Sequence, residues 1–318
     1  MNPACVLVTG SSGYLGSQVV AALAARGDIE VIALDLRDPA QRLPGVIYEN
    51  ADIRAAEVDA IVGRHRPRVV VHLASIVTPG KKSNREFEFS VDVGGTRNLL
   101  EACLAHGVRR IIVSSSGAAY GYHADNPEWL TEADPVRGNQ SFAYSWHKRL
   151  VEEMLAEYRA SQPQLEQIVF RIGTILGATV HNQITDLFEK PRLIAIKGSD
   201  SPFVFIHDRD VVGAIVQAVD SPVTGIFNVA GDGKLSIFEI AGRLGKRCVV
   251  FPPGLLQAAL WLLKKLGMTQ YGPEQIDFLR YRPVLANRRL KEEFGYVPKL
   301  TSAEVFDLWR RSRQGKAR

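Results

Sequence analysis

Cysteine is scarce in this chain: three residues in 318, Cys5, Cys103 and Cys248, with no CxxC spacing among them. Three such thiols exclude a disulfide framework, argue against a zinc site, and fit a reducing compartment. Long hydrophobic runs are missing as well. The longest apolar stretch, Leu255 to Leu263, falls far short of the ~20 residues that span a bilayer, so stable membrane insertion is not expected. No signal-peptide pattern precedes Val6-Leu7-Val8, which already reads as a strand, and the expected location is the cytoplasm. Internal repeats and low-complexity segments are not found. The body also lacks a charge excess. Lys and Arg number 39 against 34 acidic residues, but residues 310–318 hold five basic residues and no acidic one. Without that tail the count is 34 against 34. The tail reads as a solvated end, and with no aromatic interleaving a nucleic-acid partner is not expected.

What is present is an alternating pattern. Strand-like runs fall at Cys5–Val8, Glu30–Leu34, Val46–Tyr48, Val69–Leu73, Arg110–Ser114 and Ile168–Arg171. Amphipathic stretches separate them, at Tyr14–Arg26, Ala55–Arg64, Glu86–His106 and Tyr144–Ala160. Strands apolar on both faces, alternating with helices, predict an α/β fold, a Rossmann-type doubly wound parallel sheet. The rhythm loosens after Gly173. We therefore expect a cofactor domain over 1–174, with 203–230 returning to it, and a smaller substrate lobe from 175–202 and 231–318. Phe203–Ile206 and Ile226–Val229 are candidate strands that either return to the main sheet or build the smaller lobe.

Thr9-Gly10-Ser11-Ser12-Gly13-Tyr14-Leu15-Gly16 joins the first strand to the first helix. Gly10 permits a tight turn, Gly13 lets backbone approach a pyrophosphate, and Gly16 allows close helix–sheet packing. Asp35 ends the second strand, where a carboxylate can bond both ribose hydroxyls and repel a 2′-phosphate. That favours NAD over NADP, although Arg37 stands two residues on. Tyr144 and Lys148 lie at i and i+4 on one helical face. A phenol is a poor base at neutral pH, and a nearby ammonium stabilises its phenolate. The pair alone is a cheap signal; its position after Ser114-Ser115-Ser116, at the ligand edge of the sheet, strengthens it. A serine hydroxyl there can donate to a substrate oxygen while the tyrosine moves the proton.

Together with Ala51-Asp52-Ile53, His72-Leu73-Ala74-Ser75, Gly95-Thr96-Arg97-Asn98, Ser114–Gly121 and Phe205-Ile206-His207, these motifs make the chain resemble the extended short-chain dehydrogenase/reductases of the NAD-dependent epimerase/dehydratase superfamily. The resemblance spans essentially the whole length. It implies Ser116, Tyr144 and Lys148 as catalytic residues, with Tyr144 the general acid/base. It implies cofactor contacts from Gly10, Ser12, Gly13, Tyr14, Leu15, Gly16, Asp35, Leu36, Asp52, Ile53, Leu73, Ala74, Ser75, Ser114, Tyr144, Lys148 and Ile172, and a homodimer.

The departures matter too. Gly117 and Ala118 follow Ser116 where dehydratases carry an acidic pair, so water elimination is rejected. Thr174 stands in place of an Asn, and Phe203 in place of an Arg, that usually anchor a nucleotide sugar. Arg192, Arg209 or Arg282 are the candidates to replace that cation. The expected activity is hydride transfer at an alcohol or ketone carbon of a small, non-nucleotide substrate. The rivals are a nucleotide-sugar epimerase and a cofactor-sensing regulator without turnover. His72, His207 and Cys103 read as structural, and His147 as incidental. The helix at Pro252–Leu266 reads as ordinary packing, a lid, a dimer surface or a membrane-surface contact.

Overall fold

A computed structural model describes residues 4–77, 84–266, 268, 272–273 and 275–314. Seven parallel strands form the central sheet: β1 (Ala4–Thr9), β2 (Ile29–Asp35), β3 (Val46–Asn50), β4 (Val69–His72), β5 (Arg110–Ser116), β6 (Glu166–Ile172) and, later in the chain, β10 (Gly225–Val229). Their spatial order is β3-β2-β1-β4-β5-β6-β10. The order reverses at β1, so the crevice beyond the carboxyl ends of β1 and β4 is where ligands of such sheets bind. The Ile226–Val229 run joins the sheet beside β6, whereas β9 (Phe205–His207) pairs instead with β7 (Thr174–Leu176).

Alternate strand residues feed opposite cores. Val6 and Val8 pack with Val19, Val20 and Leu23 of α1 (Tyr14–Ala24) and Val211, Ile215 and Ala218 of α7 (Asp208–Asp220). Leu7 packs with Val58 and Ile61 of α2 (Glu57–His65), Leu99 and Cys103 of α4 (Gly95–Ala105), and Val151 and Leu155 of α5 (Ala143–Ser161). The helix expected over Glu86–His106 is broken. It runs as α3 (Arg85–Phe89), a π-turn over Ser90–Gly94, then α4. At the break Asp92 turns inward: its Oδ1 accepts from Ile76 N–H at 2.9 Å and its Oδ2 meets His147 Nδ1 at 3.2 Å. His147 is therefore a buried partner of Asp92 and not incidental.

A third core collects Phe188 from α6 (Gln183–Glu189), Leu193 and Ala195 from β8 (Arg192–Ile196), Phe203, Phe205, Ile240 from α8 (Ile237–Leu244), and Phe306 and Trp309 from α12 (Ser302–Gln314). Strand β11 (Arg247–Phe251) pairs with β8 and runs into α9 (Pro253–Lys265). Helices α10 (Gln275–Arg280) and α11 (Arg288–Glu292) follow. Among the described residues no helix is long and apolar enough to cross a membrane.

Candidate active site

The first turn after β1 is shaped for close backbone approach. Gly10 has φ +68°, and a Cβ there would stand 2.6 Å from Ala74 N; one on Gly16 would stand 2.0 Å from Gly10 O. The glycines thus hold a concave loop with the N-terminus of α1 open above it, a cradle for an anion. Asp35 ends β2 beside it, its carboxylate accepting from Ser12 N–H and Arg37 N–H at 3.0 Å each. Both hydrogen bonds fix the carboxylate at the sheet edge, where a ribose would lie. The donor set and the cradle fit NAD.

The glycine loop opens into a cavity of about 560 Å³. Gly10, Gly13, Tyr14, Leu15, Gly16, Leu73, Ser75, Ser114, Ser116, Tyr144, Lys148 and Ile172, all singled out from the sequence, line it. Ser12, Asp35, Leu36, Asp52, Ile53 and Ala74 do not line this cavity. Asp35 and Leu36 lie at the end of β2, and Asp52 and Ile53 just past β3, farther along the same strand edge. Leu36 is exposed and Ile53 buried, while Asp52 pairs with Arg54 at 2.5 Å.

Three catalytic candidates converge on the cavity. Lys148 Nζ donates to Ser114 O at 3.0 Å and stands 5.7 Å from the centroid of the Tyr144 ring. Ser116 Oγ accepts from Ala118 N–H at 3.1 Å, which leaves its own proton for a ligand. Behind them, burial pushes the Asp92 carboxyl up, but His147, the Lys148 charge and the Ile76 N–H more than offset this and hold it below its ordinary value. His72 bridges Thr9 (2.8 Å) and Thr96 (3.0 Å). Burial and the Lys148 charge lower it to about 3, so it stays neutral and structural. His207 caps α7 by accepting from Arg209 N–H, also a structural role.

Beyond the catalytic candidates the lining is mixed, with Thr179, His181, Asn182 and Gln183 on it as well as an apolar wall. Val77, Tyr122, Phe142, Phe278 and Leu285 make up that apolar wall, and Thr174 and Phe203, the two positions that depart from the nucleotide-sugar pattern, line the cavity too. Into this wall comes one cation. The Arg282 guanidinium stacks 4.1 Å from the Phe203 centroid and 4.6 Å from that of Phe278. It is 9% exposed, and its Nε and Nη2 have no hydrogen-bond partner among the described residues. Burial lowers it to about 10. Arg192 and Arg209 are exposed and outside the cavity lining, so Arg282 alone of the three candidates reaches it. No Asp or Glu is among the described residues of the lining.

A model of the NAD dependent epimerase/dehydratase family matches residues 6–230. The chain belongs to this family. It is 32% identical over 281 residues to the UDP-glucose 4-epimerase of Yersinia pestis, covering 76% of this chain and 82% of that one. An uncharacterized protein of Mycobacterium tuberculosis is 28% identical over 318 residues, covering 98% and 84%. Among solved structures, the Thermus thermophilus UDP-glucose 4-epimerase complex with NAD superposes with a TM-score of 0.73 at 26% identity, covering 98% and 99%. This family member is an NAD-dependent enzyme. Sequence reasoning singled out the cofactor end but not Asp92, and named Arg282 only as one of three. An acidic residue inside an apolar helical run was the available signal for Asp92.

Proposed function

We propose that the enzyme oxidises or reduces an alcohol or ketone carbon of a small molecule outside the nucleotide sugars, one with an apolar body and an anionic group. The observation that carries this reading is the cavity lining, which holds Ser116, Tyr144, Lys148 and Arg282 but no carboxylate among its described residues. Bound NAD supplies the hydride acceptor or, reduced, the donor. Tyr144 takes the hydroxyl proton on oxidation and returns it on reduction. Lys148, anchored on the Ser114 carbonyl, stabilises the phenolate and binds the nicotinamide ribose. Ser116 donates to the substrate oxygen. Water elimination needs a carboxyl acid/base beside the substrate, and the described residues of this lining offer none. Arg282 receives the anionic group, since a buried unpaired guanidinium gains most from a charged acceptor. In this reading residues 1–174 and 203–230 hold the cofactor, 175–202 and 231–318 select the substrate, and the enzyme is a homodimer.

A second reading, nucleotide-sugar epimerisation, is favoured by the UDP-glucose 4-epimerase relatives and by Arg282, which suits a diphosphate equally. One assay separates the two. Purified enzyme with NAD is offered hydroxy acids, sterol phosphates, phosphorylated alcohols and nucleotide sugars. Net reduced nicotinamide with a non-nucleotide substrate supports the first reading. Interconversion of nucleotide sugars without net reduction supports the second and overturns the first.

A further inference from the structure

The wall that carries Arg282 is a row of rings. The Phe142 centroid stands 6.3 Å from that of Tyr144, and the Tyr122 centroid 5.8 Å from that of Phe142. Phe278 stands 4.7 Å from Tyr122 and 4.6 Å from the Arg282 guanidinium carbon. Continuous apolar surface thus joins the Tyr144 phenol at one end to a buried guanidinium at the other, with Tyr122 in the middle.

One glycine turn delivers Tyr122 there. Gly121, at φ +81°, follows the single turn Gly117–Tyr120 that starts after Ser116. A Cβ on Gly121 would stand 2.5 Å from Arg137 O, so only glycine fits the bend that returns Tyr122 to the cavity. Asn139 fixes the backbone beyond it, accepting from Tyr122 N–H at 2.7 Å. The Tyr122 hydroxyl has no hydrogen-bond partner among the described residues. Burial holds this phenol above its ordinary value; Arg282 pulls it part of the way back, and Tyr144 adds to the rise. It stays protonated at neutral pH and keeps a free O–H to donate.

Charge selects the acceptor. Lys148 and Arg282 are the only Lys or Arg of the described lining, which holds no Asp or Glu. Lys148 is matched to the Tyr144 phenolate, so Arg282 offers a single positive charge to the rest of the cavity. One carboxylate balances it. A phosphate monoester carries about two negative charges at neutral pH, and the second would be buried without a partner.

We propose that Tyr122 is a substrate-binding residue whose hydroxyl, with the Arg282 guanidinium, holds a single carboxylate, so that the substrate is a hydroxy or oxo acid with its apolar body against Phe142 and Phe278. The carbinol end of that substrate rests on the hydride-transfer reading; the carboxylate end rests on Tyr122 and Arg282.

Calorimetry of the NAD-bound full chain tests the carboxylate end without turnover. The probes are a ladder of phenylalkanoates, from phenylacetate to phenylvalerate, with the matching amides and phenylalkyl phosphates. At least one carboxylate binds more tightly than its amide and its phosphate. Tyr122→Phe weakens that carboxylate about 10-fold, the loss of one hydrogen bond to a charged acceptor, and leaves the amide unchanged. Its thermal unfolding matches wild type, because the ring contacts remain and the hydroxyl has no partner to lose; a purely structural tyrosine would not separate the two readouts. Absence of carboxylate binding across the ladder overturns the proposal, as does a Tyr122→Phe variant with undiminished carboxylate affinity or a preference for the phosphates. Tyr122-dependent carboxylate binding without nicotinamide reduction by the corresponding hydroxy acids refutes the hydride-transfer reading and upholds this one. Nicotinamide reduction by neutral alcohols without carboxylate binding does the reverse.

Discussion

Replacing Arg282 by Met separates what the fold pays from what the ligand gains. The guanidinium is buried against Phe203 and Phe278, with Nε and Nη2 unpartnered among the described residues. Burial lowers it from the ordinary guanidinium range to about 10. At 1.36 kcal/mol per pH unit, keeping it charged at neutral pH costs roughly 3 kcal/mol. The sign follows from linkage: the folded form binds its proton more weakly than the unfolded chain, so the cost is present below about pH 10 and fades above it. The two ring contacts return about 1–2 kcal/mol. Met keeps the apolar contact and removes the charge. Arg282→Met should therefore gain about 1–2 kcal/mol in urea unfolding of the apo-protein, while KM for an anionic substrate rises at least tenfold and NAD affinity holds. A variant that is destabilised, or that keeps its substrate affinity, refutes the claim that Arg282 is an unpaired cation awaiting a ligand.

Other perturbations probe the supports of the site. Gly10→Ala meets backbone atoms of Leu73 and Ala74 within 2.9 Å at φ +68°, whereas Gly27→Ala at φ +73° meets nothing within 4 Å. The first should lose about 2–5 kcal/mol and measurable NAD binding, the second only about 1–2 kcal/mol; equal losses in calorimetry would sink the argument. Arg171 pairs with Glu152 at 2.6 Å in the interior, so Arg171→Met strands a buried carboxylate and should cost about 3–5 kcal/mol, with Glu152→Met on top restoring much of it. His72 should show no imidazole titration by NMR above about pH 4. Because its folded value, about 3, lies below that of the unfolded chain, it contributes stability present above about pH 6.5 and lost as pH falls toward 3.

The cofactor half of the molecule was legible because its signals are local. Apolar strands, Gly10–Gly16 and Asp35 lie in order along the chain, and the strand-turn-helix context supplies the geometry. Tyr144 and Lys148 share a helical face by spacing alone, and Ser116 precedes them at the strand end. The rest depends on long-range contacts. The π-turn at Ser90–Gly94 is stabilised by Asp92 reaching Ile76 and His147, residues 16 and 55 positions away, which periodicity cannot see. Arg282 enters the cavity through stacking on Phe203, 79 positions earlier, and nothing local distinguishes it from Arg192 or Arg209. Both Phe203–Ile206 and Ile226–Val229 read as strands, yet only the second completes the sheet, because β9 is drawn to β7.

The central claim is that Tyr144 moves the proton at a carbon whose redox partner is NAD. Tyr144→Phe, assayed for turnover with the substrate found in the alcohol panel and for NAD affinity by calorimetry, tests it most directly. Loss of general acid/base catalysis predicts a fall in kcat of about 10²–10⁴-fold with NAD affinity unchanged. Turnover within a few-fold of wild type would contradict the account.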